Sequence, residues 1–164
     1  MKLETRSVRS MVWLAVSLAL LIGAGEIAWA QEPRPSAQDR CPVCGMFIAK
    51  YPDWVASITF RDGDIVFFDG VKDLLTFYFN ISRYQARQSI ESIRKIRVTD
   101  YYTGRSINAL EAFFVIGSDV FGPMGKELVP FESQEAALEF SRDHKGMRVM
   151  RFEEFRPTLL ERIR

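Results

Sequence analysis

This 164-residue chain has a single histidine, His144, and two cysteines, both inside one four-residue motif. A zinc ribbon built on paired C-x-x-C motifs, or a Cys2His2 site, therefore lacks the residues it needs. A disulfide scaffold is excluded as well, because a C-x-x-C bridge closes too small a loop to stabilise a fold much. No G-x-G-x-x-G, phosphate loop or Ser-His-Asp arrangement is present, which removes the usual nucleotide-binding and nucleophilic-hydrolase readings. A surplus of either charge is also missing. Setting aside Lys2, Arg6, Arg9, Glu4 and Glu26 from 22 basic and 21 acidic side chains leaves residues 31–164 with no net charge. Such balance argues against a nucleic-acid binder or a protein held to anionic lipid by charge. The local cluster Arg83, Arg87, Arg94, Lys95 and Arg97 reads as a solvated face.

Residues 1–30 have the form of an export signal. Lys2, Arg6 and Arg9 precede an uncharged apolar run, Met11 to Ile22, and Ala28-Trp29-Ala30 has the A-x-A form of a cleavage site. The run is short for a membrane span and Glu26 ends any extension, so cleavage is expected, with an uncleaved N-terminal anchor as the alternative. No cysteine stands where a lipid-accepting residue would be, and there is no twin-arginine pair. Residues 31–40, with two prolines and no large apolar side chain, read as a linker. Residues 41–156 read as one domain, and 157–164 as a tail without evident role.

Within the domain, Trp54 to Phe60 and Ile65 to Phe68 are expected as a hairpin around Arg61-Asp62-Gly63-Asp64. Asp69 is expected to cap a helix carrying Val71, Leu74, Leu75 and Tyr78 on one face. Ile93 to Thr99 reads as a strand and Ser106 to Asn108 as a short extended piece. Ala112 to Gly117 reads as a buried strand and Glu127 to Pro130 as its partner after a glycine-rich loop. Ser133 caps a second helix ending near Asp143, where His144 suits the helix dipole, and Met147 to Phe152 closes the domain. Strand, loop, strand, helix thus occurs twice, which suggests an internal duplication of a ββα unit packed as α+β layers. Asp62, Asp64, Asp69 and Asp73 cluster at the first hairpin, where turn and cap duties account for them.

The chemistry concentrates in Cys41-Pro42-Val43-Cys44-Gly45-Met46. Thiolates with a thioether two residues on form a soft donor set, the kind that selects Cu(I) and tolerates low coordination. Met46 and Met124, the latter in Pro123-Met124-Gly125, both adjoin glycine in turn-like stretches that are poor places to fill a core. Met147 and Met150, in an apolar strand, read as core filler. A thioredoxin-like dithiol would need a long helix after the motif, and Pro52 stops one. The residues thus favour a copper carrier that is not an enzyme. The rival is an envelope thiol–disulfide oxidoreductase using Cys41 and Cys44.

Cys44-Gly45-Met46, Ile65 to Gly70, Val98 to Gly104, Val115 to Ser118, Gly122 to Gly125 with Glu127-Leu128, and Met150-Arg151-Phe152 together resemble the NosL family, accessory proteins of nitrous oxide reductase maturation. The resemblance runs from about residue 41 to 155. It implies a periplasmic Cu(I)-binding metallochaperone that serves nitrous oxide reductase or a similar copper-receiving enzyme, working with an ABC-type membrane transporter complex. It also implies two ββα-type modules with antiparallel sheet, similar to those of organomercurial lyase. By position, Cys44, Met46 and Met124 match the family's Cys-Gly-Met and Pro-Met-Gly. Cys41 is additional, and would either tighten copper binding or form a reversible disulfide that blocks it. Whether the protein works as a homodimer stays open.

Overall fold

The computed structural model describes residues 32–162. The expected export signal lies outside the described residues. The described residues form nine strands and four α-helices: β1 Ala56–Phe60, β2 Ile65–Phe68, α1 Val71–Tyr78, α2 Ile81–Tyr84, β3 Ile93–Thr99, β4 Ser106–Asn108, β5 Phe113–Ile116, β6 Phe121–Gly122, β7 Gly125–Lys126, β8 Val129–Phe131, α3 Gln134–Asp143, β9 Arg148–Arg151 and α4 Pro157–Arg162. They form a four-stranded sheet of order β2-β1-β3-β4, a three-stranded sheet of order β8-β5-β9, and a β6-β7 ribbon. All the strand pairings are antiparallel, so the fold is mixed α+β as expected.

Each larger sheet repeats one plan. A central strand (β1 or β5) pairs with the next long strand (β2 or β8), a helix follows (α1 or α3), and a third strand (β3 or β9) returns to the other side of the central one. The repeated unit is thus ββαβ rather than ββα. The likeness is one of topology, and a duplication is not established by it. The first unit adds β4 to its edge and the second inserts the β6-β7 ribbon between β5 and β8.

Strand β5 explains why a continuous apolar run belongs here. Phe114 and Ile116 enter the main core, with Ile58, Phe68, Leu74 and Leu75, whereas Val115 enters a second cluster with Val129, Phe131 and Phe140 beneath α3. Alternate side chains leave a strand on opposite faces, so a strand buried on both faces has no polar alternation. Helix α1 is similarly enveloped. Val71, Leu74, Leu75 and Phe77 are buried, and so are Lys72 and Asp73. The segment after Phe155 also contributes: α4 sends Leu160 into the main core. The end of the expected linker is tied in, by a turn in which Asp39 N–H donates to Ser36 O and by an Arg40–Phe47 bridge.

Two local expectations need correction. Asp69 does not cap α1; Gly70 holds the N-cap position, and no side chain of that residue can do the capping. The Lys72 N–H donates instead to Glu127 Oε1 at 2.8 Å, a carboxylate from 55 residues further along the chain. Glu127 Oε1 also accepts from the Leu128 N–H at 2.9 Å. A Cβ at Gly70 would collide with Glu127 Oε2, and one at Gly122 would meet the Glu127 stem at 3.0 Å. These two glycines clear the space that the carboxylate occupies. Met147 is the second correction. It is 82% exposed rather than core filler, because β9 starts only at Arg148, while Met150 is buried as expected.

Gly70→Ala should therefore push Glu127 off the helix end and destabilise the fold by about 2 kcal/mol or more. Urea unfolding of the variant beside the wild type measures it. An unchanged midpoint would show that Glu127 can relocate freely.

Candidate metal centre

The cysteine motif folds as a closed knuckle. Cys41 N–H donates to Met46 O at 2.9 Å and Gly45 N–H to Cys41 O at 2.8 Å. Gly45 takes φ 79°, a left-handed conformation that suits glycine. Arg40 clamps the turn from outside, with Nη1 donating to Gly45 O at 2.9 Å and the guanidinium 3.7 Å from the Phe47 ring centroid. The turn aims N–H groups inward. Those of Cys44 and Val43 face the Cys41 sulfur, and that of Met46 faces the Cys44 sulfur. Both cysteines are free thiols; Cys41 is buried and Cys44 half-buried.

Opposite the knuckle stands the start of α1. Cys41 Sγ donates to Asp73 Oδ2 at 3.2 Å, and Cys44 Sγ lies 3.4 Å from both oxygens of Asp69. One donor atom from each of Cys41, Cys44, Asp69 and Asp73 lies within 4.8 Å of the other three. Asp69 and Asp73 are buried, at 1% and 7% exposure. Such carboxylates need partners, and here the thiols supply them. The turn and cap duties expected of the four aspartates hold for Asp62, whose Oδ1 accepts the Asp64 N–H at 3.1 Å. Asp69 and Asp73 serve the pocket instead. Their signal in the sequence was the four-residue spacing at a helix start, with Asp73 set among Val71, Leu74, Leu75 and Phe77.

Burial pushes the Cys44 thiol up to about 12, and the carboxylate of Asp73 adds to the rise against the opposing Met46 N–H. Cys41, more deeply placed, is pushed further in the same direction by burial and by both aspartates. Asp73 is itself raised by burial, which outweighs the thiols donating to it. The pocket without a cation is therefore a protonated dithiol. Metal entry must displace those protons.

The methionines are placed through their backbones. Met46 closes the knuckle and its side chain is half-buried. Met124 lies at the turn of the β6-β7 ribbon, 45% exposed, and its carbonyl accepts from Lys72 Nζ at 2.9 Å. Lys72 Nζ also donates to Lys126 O at 2.8 Å. The residue next to Asp73 thus fastens the Met124 loop to α1. His144 belongs elsewhere, at the C-terminal end of α3, with Nδ1 at 3.2 Å from Asp119 Oδ1 and its ring stacked on Phe140.

Fold and pocket together define an α+β protein with a thiol–carboxylate cluster that can hold a metal ion. A sequence model of the NosL family matches residues 33–160, and the chain belongs to that family. The copper-binding lipoprotein NosL of Stutzerimonas stutzeri is 30% identical over 155 residues, which span 90% of this chain and 80% of that protein. The crystal structure of the copper chaperone NosL from Shewanella denitrificans shares the fold, with a TM-score of 0.67 at 23% identity over 78% of this chain and 97% of that one.

Two outcomes follow from the charges. At pH 8 the cation-free protein should react with iodoacetamide at least about tenfold more slowly than free cysteine, and its rate should keep rising beyond pH 10. Alkylation as fast as that of the free amino acid would contradict the protonated pocket. Glu127, raised by burial to about 7 from an ordinary 4.5, has the other consequence. Between those values the folded protein keeps a proton that the unfolded chain has lost. Its stabilising contribution is thus complete below about 4.5 and is lost as pH rises through 7, by about 3 kcal/mol. Urea unfolding at pH 4.5 and 7.5 should show that difference between the wild type and Glu127→Gln.

Proposed function

We propose that this chain is a periplasmic Cu(I) metallochaperone that is not itself an enzyme. Cys41 and Cys44 supply the thiolates, and Met46 and Met124 the thioethers. The observation that carries this reading is the knuckle: two thiols, one buried and one half-buried, whose own backbone N–H groups face the sulfurs, opposite the start of the helix to which Lys72 fastens the Met124 loop. Relatives named as copper-binding and copper-chaperone proteins support it. Thiolate and thioether hold Cu(I) at low coordination, so an incoming ligand can join before an outgoing one leaves. Met124, on an exposed turn, stands where a receiving protein can reach.

The receiver fits the same reading: nitrous oxide reductase or a similar envelope copper enzyme, assisted by an ABC-type transporter complex. Residues 1–30 serve as the export signal or remain as an anchor, and residues 31–40 join them to the domain. The lipoprotein name of the Stutzerimonas relative supports an envelope location. The oxidoreductase alternative is weakened by the carboxylates. A redox nucleophile needs a depressed thiol pKa, and both thiols here are raised.

An anaerobic Cu(I) competition titration on reduced protein, with a chromophoric chelator, tests the proposal. One Cu(I) should bind tightly, be lost in Cys44→Ala and be weakened about tenfold or more in Met124→Leu. Binding no tighter than that of small thiols would end the copper reading. Tight binding indifferent to both methionines would leave a bare dithiol and revive redox exchange.

A further inference from the structure

Met124 stands in a stiff turn. Gly122 and Gly125 face each other across the β6-β7 ribbon, which leaves Pro123 and Met124 as its two turn residues. Gly125 takes φ 85°, and Pro123 fixes its own φ through its ring. The place of the Met124 backbone therefore follows from the place of the ribbon. Among the described residues, the ribbon pairs with neither larger sheet. It rests at Gly122, where a Cβ would meet the Glu127 stem at 3.0 Å and the Trp54 ring at 3.4 Å. Phe121 is exposed and does not anchor it.

At the Met124 end the hold comes from Lys72. Its amine donates to Met124 O at 2.9 Å and to Lys126 O at 2.8 Å, the carbonyls on either side of Gly125. A ribbon edge leaves such carbonyls open, and an ammonium with three donors takes two at once. Lys72 is itself buried, which is uncommon for lysine. An apolar side chain would fill the same space on α1 without the cost of burying a charge. The charge is met by Glu127, which lies within electrostatic reach and whose carboxylate receives the Lys72 N–H. The neighbouring Asp73 accepts from Cys41 Sγ. One turn of helix thus meets the knuckle through Asp73 and the Met124 loop through Lys72.

We propose that Lys72 is a positioning residue for copper: its amine holds the β6-β7 turn where the Met124 thioether joins Cu(I) at the two cysteines, and so sets how firmly the ion is kept. The inference deepens the copper reading and rests on it. Lys72 itself lies outside the ligand set. It acts through Met124, as the outer partners of metal ligands do. Without the amine the turn keeps its shape but loses its place. The thioether then leaves the ligand set while both thiolates stay.

The test is a titration of the reduced full-length chain with Cu(I) alone against a chromophoric chelator. It compares the wild type, Lys72→Met, Met124→Leu and the double variant. Lys72→Met removes the amine and keeps the backbone N–H that Glu127 accepts. It should weaken Cu(I) binding about tenfold or more, as Met124→Leu does, and the double variant should be no weaker than either. X-ray absorption at the copper edge should count one sulfur fewer in both single variants. Effects that multiply in the double variant would overturn the proposal, because Lys72 would then act on something other than Met124. So would an unchanged sulfur count in Lys72→Met. Where Lys72→Met does not fold, Lys72→Gln, with a shorter and uncharged donor, is judged by the same two criteria. A response to Met124→Leu with none to Lys72→Met ends this inference and leaves the copper reading intact. A wild type without tight Cu(I) binding ends both.

Discussion

The carboxylate of Glu127 against the first turn of α1 is the contact on which the site depends. It accepts the Lys72 N–H, an N–H that no earlier residue in the helix can pair. Three features converge on it: Gly70 and Gly122 clear its space, and Lys72 sends its own amine to the carbonyls of Met124 and Lys126. The exchange ties the two ββαβ units together at the metal pocket. It also releases Asp69 from capping. A carboxylate freed from its helix end can turn to a sulfur, and Asp69 does so.

The pocket is thus composed of parts with different rigidity. The knuckle is local, closed by backbone hydrogen bonds within a few residues and clamped by Arg40. The aspartates ride on a helix buried on nearly every side. The Met124 turn, fastened to the same helix by Lys72, is exposed.

Much of this architecture could be read from residue order. The β1–β2 hairpin, the apolar face of α1, the Ser133 cap of α3 and the doubly buried β5 follow from period and turn chemistry, which act over a few residues. The cysteine motif was legible because both its thiols and its turn are local. The aspartates were not. A capping role for Asp69 is the sound local inference, and it fails because a glutamate 55 residues from Lys72 takes the cap. Met147 misled for a similar reason: it stands one residue outside β9, where alternation no longer governs which way a side chain faces. Periodicity found one face of α1 but not its near-complete envelopment, which depends on what the second unit and α4 bring to it.

The separation of Lys72 from Glu127 also sets an order of events. Cys41 and Asp73 are 32 residues apart, and the helix that carries Asp73 is completed only by a contact across 55. Loops of that length close late relative to hairpins and single turns. A newly made chain therefore displays a bare pair of thiols first and the full pocket only after its second half has joined the first. The cluster of two thiols and two carboxylates is in this way a product of completed folding, not of the cysteine motif alone.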